Sequence, residues 1–238
     1  MLNPFFSYFG SKYRLSKWYP KPQYEIVVEP FAGSAGYSLM YPWKQVVLYD
    51  TYEPVVALWN YLINVTKEEI LNLPLDHNGH AFCKEYPVSD CNIAAEAKTL
   101  LGFWLTESQT SASRYPLSKS RGGNWTERKR NLIAKQVEHI RHWEAHQGSY
   151  SQINIDQKCT WFIDPPYSQA GKRYVKKNID YNHLATWCME RRGQTIVCEQ
   201  EGADWLDFGV LRQSSNASNK HYKEVMWIKG HETMDCTI

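Results

Sequence analysis

The sequence predicts an α/β fold in which a mostly parallel, doubly wound sheet with an antiparallel last strand carries a mainly helical insert. Three observations support this prediction: strand and helix patterns alternate over residues 1–65, the alternation resumes after residue 143, and the segment between is irregular and basic. A chain of 238 residues is long enough for one α/β domain with such an insert. We therefore expect a core of residues 1–65 and 143–238, with residues 66–142 as an inserted subdomain.

The first strands and helices are expected near the N-terminus. Residues 25–29, EIVVE, are β-branched and apolar, and the segment PFAGSAG ends this strand before YSLMY (37–41), which can begin a helix. Residues 45–50, QVVLYD, are a second strand. Residues 53–65 have apolar side chains at helical spacing, with Pro54 at a permitted position in the first turn.

The middle of the chain contains a basic segment. Residues 111–125, SASRYPLSKSRGGNW, form a turn-rich loop, and residues 126–143 are a predicted helix with Thr126 as its N-cap. From Arg114 to Arg141 there are eight Lys or Arg residues and two Glu, although the net charge of the whole chain is only +2. An anionic partner would therefore bind here; a solvated helix face is the alternative.

The strand and helix alternation then resumes. TWFID (160–164) and QTIVCE (194–199) are predicted strands, and NHLATWCMERR (182–192) is the helix between them. FGVLRQ (208–213) and KEVMWIK (223–229) are expected to close the chain as an antiparallel pair.

Composition argues against several classes of protein. The six Cys residues form no CxxC pair, which indicates reduced, buried thiols in a cytosolic protein without a zinc site. His77 and His80 have a His-x-x-His spacing, but no further ligands complete a metal site, so exposed loop histidines are expected. We expect no membrane partner, since there is no signal peptide and no apolar run of about 18 residues. A monomer is expected.

A glycine loop follows the first strand, and an acid ends the second. Gly33 and Gly36 allow the backbone to approach a ligand closely at the carboxyl edge of the sheet. Asp50 lies 17 residues after Gly33, about the spacing at which an acid reaches the hydroxyls of an adenosine ribose. The loop has neither the GxGxxG pattern nor a basic residue for a pyrophosphate. It fits a nucleoside without a diphosphate, such as S-adenosylmethionine; tight-turn packing is the alternative.

An aspartate and two prolines follow the predicted strand at residues 160–164. Pro165 restricts Asp164 to an extended conformation, and neither Pro165 nor Pro166 has an N–H donor. The turn therefore presents hydrogen-bond acceptors, which suit an exocyclic amino group, and Tyr167 adds a face on which a flat base can stack. Acceptors that hold the amino nitrogen in tetrahedral geometry localise its lone pair and favour transfer of a methyl group to it. A rigid turn with an incidental acid is the alternative.

Four segments together resemble the Dam-type DNA adenine-N6 methyltransferases, the D12 class, in their α arrangement. They are YFGSK (8–12), EPFAGSAG (29–36), DPPY (164–167) and SSNASNKHYKEVMWI (214–228). The resemblance implies a Rossmann-like methyltransferase sheet with a mainly helical DNA-recognition insert. It also implies S-adenosyl-L-methionine as the cofactor, double-stranded DNA as the partner and a flipped adenine as the methyl acceptor.

The resemblance implies roles for individual residues as well. The catalytic residues, which would hold the adenine, are Asp164, Pro165, Pro166 and Tyr167. The cofactor-binding residues would be Tyr8, Gly10, Lys12, Glu29, Phe31, Gly33, Gly36, Asp50, Ser149 and Asp164. The DNA-binding candidates are Arg114, Tyr115, Lys119, Arg121, Asn124, Trp125, Arg128, Lys129, Lys172 and Arg173. Ser149 stands where the family often has an acid that contacts the cofactor adenine.

Two other functions fit the same residues. One is a methyltransferase for an amino group in RNA or in a protein glutamine side chain, and the other is a non-catalytic DNA-binding module with a vestigial cofactor pocket. Asp164, the N-terminal YFGSK and the mid-chain insert favour DNA over the first. The intact DPPY and glycine loop argue against the second.

Overall fold

Seven strands form one mixed sheet in the part of the chain that a computed structural model describes, residues 1–106, 109–114, 125–168, 179–215 and 221–230. The strands are β1 (Ile26–Glu29), β2 (Gln45–Asp50), β3 (Glu144–Gln147), β4 (Cys159–Ile163), β5 (Gly193–Gln200), β6 (Gly209–Ser215) and β7 (His221–Lys229). Their spatial order is β3-β2-β1-β4-β5-β7-β6. Strands β1 to β5 are parallel, whereas β7 is antiparallel to β5 and β6. The predicted Rossmann-like methyltransferase sheet is thereby confirmed.

Five α-helices accompany the sheet in the described residues: α1 (Glu53–Asn64), α2 (Lys67–Leu71), α3 (Ala95–Leu105), α4 (Glu127–Gln136) and α5 (Tyr181–Glu190). Local signals in the sequence start several of them. Pro54 lies in the first turn of α1, and Thr66 and Glu69 form a capping box at α2. The Thr126 hydroxyl accepts a hydrogen bond from the Lys129 amide, as expected for the N-cap of α4.

Two predicted helices are shorter than expected. Residues 37–41 contain only a short 3₁₀ helix, Ser38–Met40, rather than the start of an α-helix. The predicted helix at 126–143 is α-helical only to Gln136 and then tightens into a 3₁₀ helix, Val137–Ile140. At this change the buried Gln136 side chain accepts a hydrogen bond from the Asn3 amide (2.7 Å) and donates one to the Asn3 carbonyl (3.1 Å). No local pattern in the sequence predicts this contact, because Gln136 and Asn3 are far apart in the chain.

Strand β3 was not predicted. It pairs with β2 at the edge of the sheet, and of its four side chains only that of Ala145 is buried. An edge strand with three exposed side chains lacks the apolar run or alternation that identifies strands in a sequence.

Alternate side chains of the parallel strands fill two hydrophobic clusters, one on each face of the sheet. Val27 and Phe162 belong to the first cluster, and their neighbours Val28 and Trp161 belong to the second. Since consecutive strand residues point to opposite faces, both faces are covered, which explains the continuous apolar runs in the sequence.

The first cluster continues into α3 and α4. The rings of Phe103 and Phe6 lie 5.1 Å apart, and the Trp104 indole donates a hydrogen bond to the Phe5 carbonyl (2.9 Å). The described part of residues 66–142 thus shares a hydrophobic core with the sheet. Its assignment as a separate recognition subdomain stays a prediction.

Candidate active site

A cavity of about 680 Å³ opens beside the carboxyl ends of β1, β2 and β4. The chain winds from β1 towards β2 on one side and from β4 towards β5 on the other, so the cavity lies at the switch point where open α/β sheets bind ligands. All ten residues predicted to bind the cofactor line this cavity. The other lining residues are Phe9, Ser11, Ala32, Ser34, Thr51, Tyr52, Tyr150, Phe162, Pro166 and Ile179.

The glycine loop requires glycine at two positions for different reasons. Gly33 has a φ of +45°, a left-handed conformation that glycine adopts without steric cost. Its carbonyl accepts a hydrogen bond from the Trp59 indole (2.8 Å). At Gly36, an added Cβ would lie 2.6 Å from the backbone nitrogen of Tyr13. Close approach of the N-terminal segment, rather than of a ligand, therefore excludes a side chain at Gly36.

The YFGSK segment packs on this loop and connects it to the end of β4. A Cβ at Gly33 would lie 3.1 Å from the Tyr8 ring, and the Ser34 hydroxyl donates a hydrogen bond to that of Ser11 (2.8 Å). The next residue, Lys12, extends to the turn after β4. Three segments that are distant in the sequence thus meet around one cavity.

The Asp50 carboxylate braces the loop. One oxygen accepts a hydrogen bond from the Gly33 amide (3.0 Å) and the other from the Tyr52 amide (2.9 Å). Asp50 therefore fixes the loop conformation in addition to lining the cavity. Its predicted contact with ribose hydroxyls is compatible with this role, since a carboxylate oxygen can accept more than one hydrogen bond.

Apolar and aromatic side chains form the wall of the cavity near Ser149. The rings of Phe31 and Tyr150 lie 5.6 Å apart, and Ile179 adds an aliphatic surface. The Tyr150 hydroxyl makes a hydrogen bond with His183 in α5 (2.8 Å). Ser149 itself caps a short 3₁₀ helix, Tyr150–Gln152. A wall of this kind can take a flat ring by stacking and apolar contact.

A buried ionic cluster lies at the acceptor turn. The Lys12 ammonium is 2.8 Å from a carboxylate oxygen of Asp164 and 3.8 Å from one of Glu224, which belongs to β7. It also donates a hydrogen bond to the Gly10 carbonyl (3.2 Å) and lies 4.5 Å from the centre of the Tyr167 ring. One cation thus serves two carboxylates and one aromatic face.

Burial and neighbouring charges shift the pKa values in this cluster. Burial raises the pKa of Asp164 to about 6, against the lowering effect of Lys12, and the charges of Glu224 and Glu199 raise it further. Burial alone would lower the pKa of Lys12, but the Asp164 and Glu224 carboxylates raise it above its ordinary value. Asp164 is therefore mainly an ionised acceptor near neutral pH, and Lys12 stays charged.

A second carboxyl group in the cavity behaves differently. Burial raises the pKa of Glu29 to about 8, although the Ser38 amide donates a hydrogen bond to it (2.8 Å). Glu29 is therefore largely protonated near neutral pH.

The DPPY turn is held by contacts from three elements. The Tyr181 hydroxyl of α5 donates a hydrogen bond to the Pro166 carbonyl (2.5 Å), and the Ser168 amide donates one to the Glu199 carboxylate at the end of β5 (2.7 Å). The Tyr167 hydroxyl donates to Glu224. Asp164 and Pro166 line the cavity, whereas Pro165 is buried and the half-buried Tyr167 lies beyond the lining. The Pro166 carbonyl therefore already accepts a hydrogen bond from within the protein.

The structure divides the predicted DNA-binding residues into exposed and packed groups. Arg114 and Arg128 are exposed. Trp125 is buried, with its indole donating to the Pro74 carbonyl (2.8 Å), and the Lys129 ammonium lies 3.8 Å from the centre of the Trp104 ring. The Trp125 side chain is therefore packed inside the described structure, and its assignment to DNA binding stays a prediction. The remaining candidates, Tyr115, Lys119, Arg121, Asn124, Lys172 and Arg173, lie outside the described residues.

Other cations of the basic segment are also used internally. The Arg130 guanidinium donates to the Leu73 carbonyl (2.9 Å), and that of Arg141 donates to the carbonyls of Ile63 and Val65. These contacts tie the helical segment to the end of α1 and to the residues that follow α2. The charge that this segment can offer to an anion is therefore smaller than the sequence count suggested.

Sequence reasoning missed several residues of the site. Glu199, near the end of β5, and Glu224, within β7, are buried carboxylates on strands otherwise read as apolar, and Tyr150 follows the unpredicted strand β3. A charged residue inside an apolar strand, as in QTIVCE and KEVMWIK, was the available signal for the two acids.

Neither a metal-binding group nor a membrane-spanning helix is found in the described ranges. No group of three or more His, Cys, Asp or Glu side chains there could hold a metal ion. None of the helices described is both long enough and apolar enough to span a bilayer. His77 and His80 pair through their backbones in a small turn, and the His80 ring stacks on Tyr86 (4.1 Å).

Comparison with known proteins bears on the N-terminal part of this site. Residues 8–86 match the model of the family described as D12 class N6 adenine-specific DNA methyltransferase. The match includes YFGSK, the glycine loop and Asp50, and it ends before the DPPY turn. No curated protein matches the chain. The resemblance to the D12 class N6 adenine-specific DNA methyltransferases is thereby confirmed, on the strength of residues 8–86.

Proposed function

We propose that the protein is a site-specific DNA adenine-N6 methyltransferase, which transfers a methyl group from S-adenosyl-L-methionine to the exocyclic amino group of a flipped adenine in duplex DNA. The family match supports methylation of adenine in DNA in general. The observation that carries the specific proposal is the meeting of the glycine loop, YFGSK and DPPY around one cavity at the carboxyl edge of the sheet.

The chemistry of the cavity suits S-adenosyl-L-methionine. The cavity volume of about 680 Å³ lies within the range of small-molecule sites. Two carboxylates, from Asp50 and Asp164, and one ammonium, from Lys12, suit a ligand that carries a sulfonium cation beside an amino-acid group, and the neutral carboxyl group of Glu29 adds a polar contact. The Phe31 and Tyr150 rings offer a surface for an adenine ring. When bound, the cofactor supplies an electrophilic methyl group.

Asp164 would act on the amino group of the substrate base. Its carboxylate, ionised above a pKa of about 6, accepts a hydrogen bond from an N–H of the amino group and so favours a tetrahedral nitrogen with a localised lone pair. The same carboxylate can receive the proton that the nitrogen loses after methylation. The carbonyl of Pro165 and the Tyr167 ring would complete the base site as second acceptor and stacking face.

Duplex DNA would bind through local positive charge, since the net charge of the chain is small. Arg114 and Arg128 are exposed cations in the described part of residues 66–142. They can contact phosphates in any sequence, which gives affinity and register but not base specificity. Transfer of the methyl group to one base then depends on extruding that base into the site.

An assay with labelled S-adenosyl-L-methionine tests the proposal. The protein is incubated separately with unmethylated duplex DNA of mixed sequence, with total RNA and with a cell extract, and each product is hydrolysed and identified. We expect N6-methyladenine in the DNA. Label found only in RNA or in a protein amide would redirect the proposal to those substrates. Tight binding of DNA without any methylated product would indicate a non-catalytic module.

A further inference from the structure

We propose that Glu224 is a positioning residue of this site, which fixes the Tyr167 ring beside the acceptor turn and shares the Lys12 cation with Asp164. The inference rests on the proposed function and deepens it. It concerns a residue of the last strand, far along the chain from each of the three motifs that surround the cavity.

The contacts of a single carboxylate oxygen carry the first part. The Oε1 atom of Glu224 accepts hydrogen bonds from the hydroxyls of both Tyr167 and Tyr19, the latter at 2.7 Å. Tyr19 is itself fixed, because its ring packs edge-on against Phe162 of β4 at 5.1 Å. The Tyr167 ring is therefore held at its hydroxyl as well as at its backbone.

The backbone of Glu224 is rigid. It lies within β7, opposite Gln200 of β5 and Arg212 of β6, so that strands flank it on both sides. Its side chain is only 6% exposed. A site built on a central strand positions a side chain more precisely than a loop does, and the loop-borne Tyr167 gains that precision through its hydroxyl.

The charge of Glu224 carries the second part. A buried carboxylate is costly unless it is paired, and here the Lys12 ammonium lies 3.8 Å from Glu224 and 2.8 Å from Asp164. When Asp164 accepts a hydrogen bond from an amino group, Lys12 keeps a second carboxylate beside it. Glu224 therefore lets Asp164 serve the substrate without leaving a buried cation unpaired.

Several other ionisable groups interact electrostatically with Asp164 or its neighbours, so these residues are left unchanged in the single variants that test Glu224. They are Lys12 from the N-terminal segment, Glu29 from β1, Glu199 from β5, and Tyr19, Tyr167 and Cys198. The negative charge of Glu224 raises the pKa of Asp164. Replacing Glu224 with a neutral residue of the same shape should therefore lower the pKa of Asp164. If Glu224 acted only by forming hydrogen bonds, this replacement would leave the pKa of Asp164 unchanged.

The experiment compares Glu224→Gln, Glu224→Ala, Tyr167→Phe and the double variant Glu224→Ala/Tyr167→Phe with the unaltered protein. Glu201→Gln is the matched control, because Glu201 is an exposed acid that pairs with Lys223 on the same strand as Glu224. The measurements are the single-turnover rate of methyl transfer, its pH profile, the KM for the cofactor, and the fluorescence of a 2-aminopurine placed at the target base.

We expect Glu224→Ala to reduce the single-turnover rate by roughly 10- to 100-fold, as for loss of a buried charged hydrogen-bond partner, with a much smaller change in cofactor KM. The 2-aminopurine should fluoresce more strongly than with the unaltered protein, because a loosened Tyr167 stacks on it less well. The double variant should lose little more of the single-turnover rate than Glu224→Ala alone, because Glu224→Ala and Tyr167→Phe remove the same interaction. Glu224→Gln keeps an acceptor oxygen, so its rate should fall less, while its acid limb moves to lower pH.

Additive losses, or a Glu224→Gln variant whose rate and pH profile match those of Glu201→Gln, would overturn the inference. If Glu224→Ala proves unfolded in a thermal melt, the Glu224→Gln and Tyr167→Phe variants decide the matter alone. Failure of the proposed function is a separate result: it would appear as absence of methylated DNA with the unaltered protein, whereas this inference depends on differences between active variants.

Discussion

The Lys12 ammonium lies 2.8 Å from a carboxylate oxygen of Asp164, joining the start of the chain to the turn after β4. Both side chains are largely shielded from water, with 7% and 18% of their surfaces exposed. Removing one partner of such a pair leaves the other charge without compensation. The pair therefore makes the YFGSK and DPPY segments parts of one site, and it frames the following predictions.

Asp164→Ala should abolish most of the methyl transfer while cofactor binding survives. Loss of an acceptor that acts mainly in the transition state costs about 10²- to 10³-fold in rate, and Lys12 keeps Glu224 as a partner. Single-turnover assays and calorimetric titration of the cofactor measure the two effects. Asp207→Ala, which removes an exposed carboxylate, is the control. Substantial activity in Asp164→Ala would refute the acceptor role of this residue.

The rate of methyl transfer should rise with pH through an apparent pKa near that of Asp164, about 6. Below this pH the protonated carboxyl group loses its acceptor capacity, and above it the carboxylate is available. Single-turnover rates measured across this range, with DNA and cofactor saturating, report the step. A rate that stays constant from well below to well above pH 6 would contradict the assignment.

The stability of the protein should depend on pH through Glu29. Its pKa is about 8 in the folded protein and 4.5 without perturbation, so folding binds a proton in this window. The resulting stabilisation is complete below pH 4.5 and is lost as the pH rises through 8. In Glu29→Gln the neutral side chain can still accept a hydrogen bond from the Ser38 amide, so the decline of Tm with rising pH should become shallower.

Thermal melts of the two proteins across the same pH range test this prediction. Glu25→Gln serves as the control, because the Glu25 side chain is 71% exposed. If the slopes of Tm against pH are the same for Glu29→Gln and the unaltered protein, Glu29 does not titrate as described.

Gly36→Ala should destabilise the fold and weaken cofactor binding together. The new Cβ would lie 2.6 Å from the Tyr13 backbone nitrogen, so the YFGSK segment must shift away from the glycine loop. Overpacking of this kind costs about 1–3 kcal/mol. Chemical denaturation and cofactor titration measure the two losses. Gly209→Ala, where a Cβ meets nothing closer than 3.9 Å, should change neither.

Two arginines of the basic segment should behave differently. Arg128 is exposed, so Arg128→Ala should weaken DNA binding and lower the slope of log affinity against log salt by about one. Arg141 donates to the carbonyls of Ile63 and Val65, so Arg141→Ala should lower stability and leave that slope unchanged. Binding titrations at several salt concentrations separate the two. If the slope of log affinity against log salt changed only in Arg141→Ala, Arg141 rather than Arg128 would be the residue that contacts DNA phosphates.

Trp125 shows why residue type and position in a loop do not decide whether a side chain is exposed. In the sequence it stands at the end of a basic, turn-rich loop, where an aromatic side chain could stack on a base. In the structure it is buried against Pro74. Exposure depends on which segment covers a side chain, and that segment comes from elsewhere in the chain.

The sequence by itself determined six of the seven strands in the described sheet, because buried strands carry local apolar runs. It also placed the glycine loop, Asp50 and Asp164 at one edge of that sheet, because the carboxyl ends of parallel strands meet there. Only the tertiary structure decided the position of β3, whose side chains are mostly exposed, and the internal use of Arg130 and Arg141. It alone brought Glu224 of the last strand to Tyr167 and Lys12. These contacts join residues that are far apart in the sequence. Local periodicity cannot predict them, because they form only when the folded chain brings those segments together.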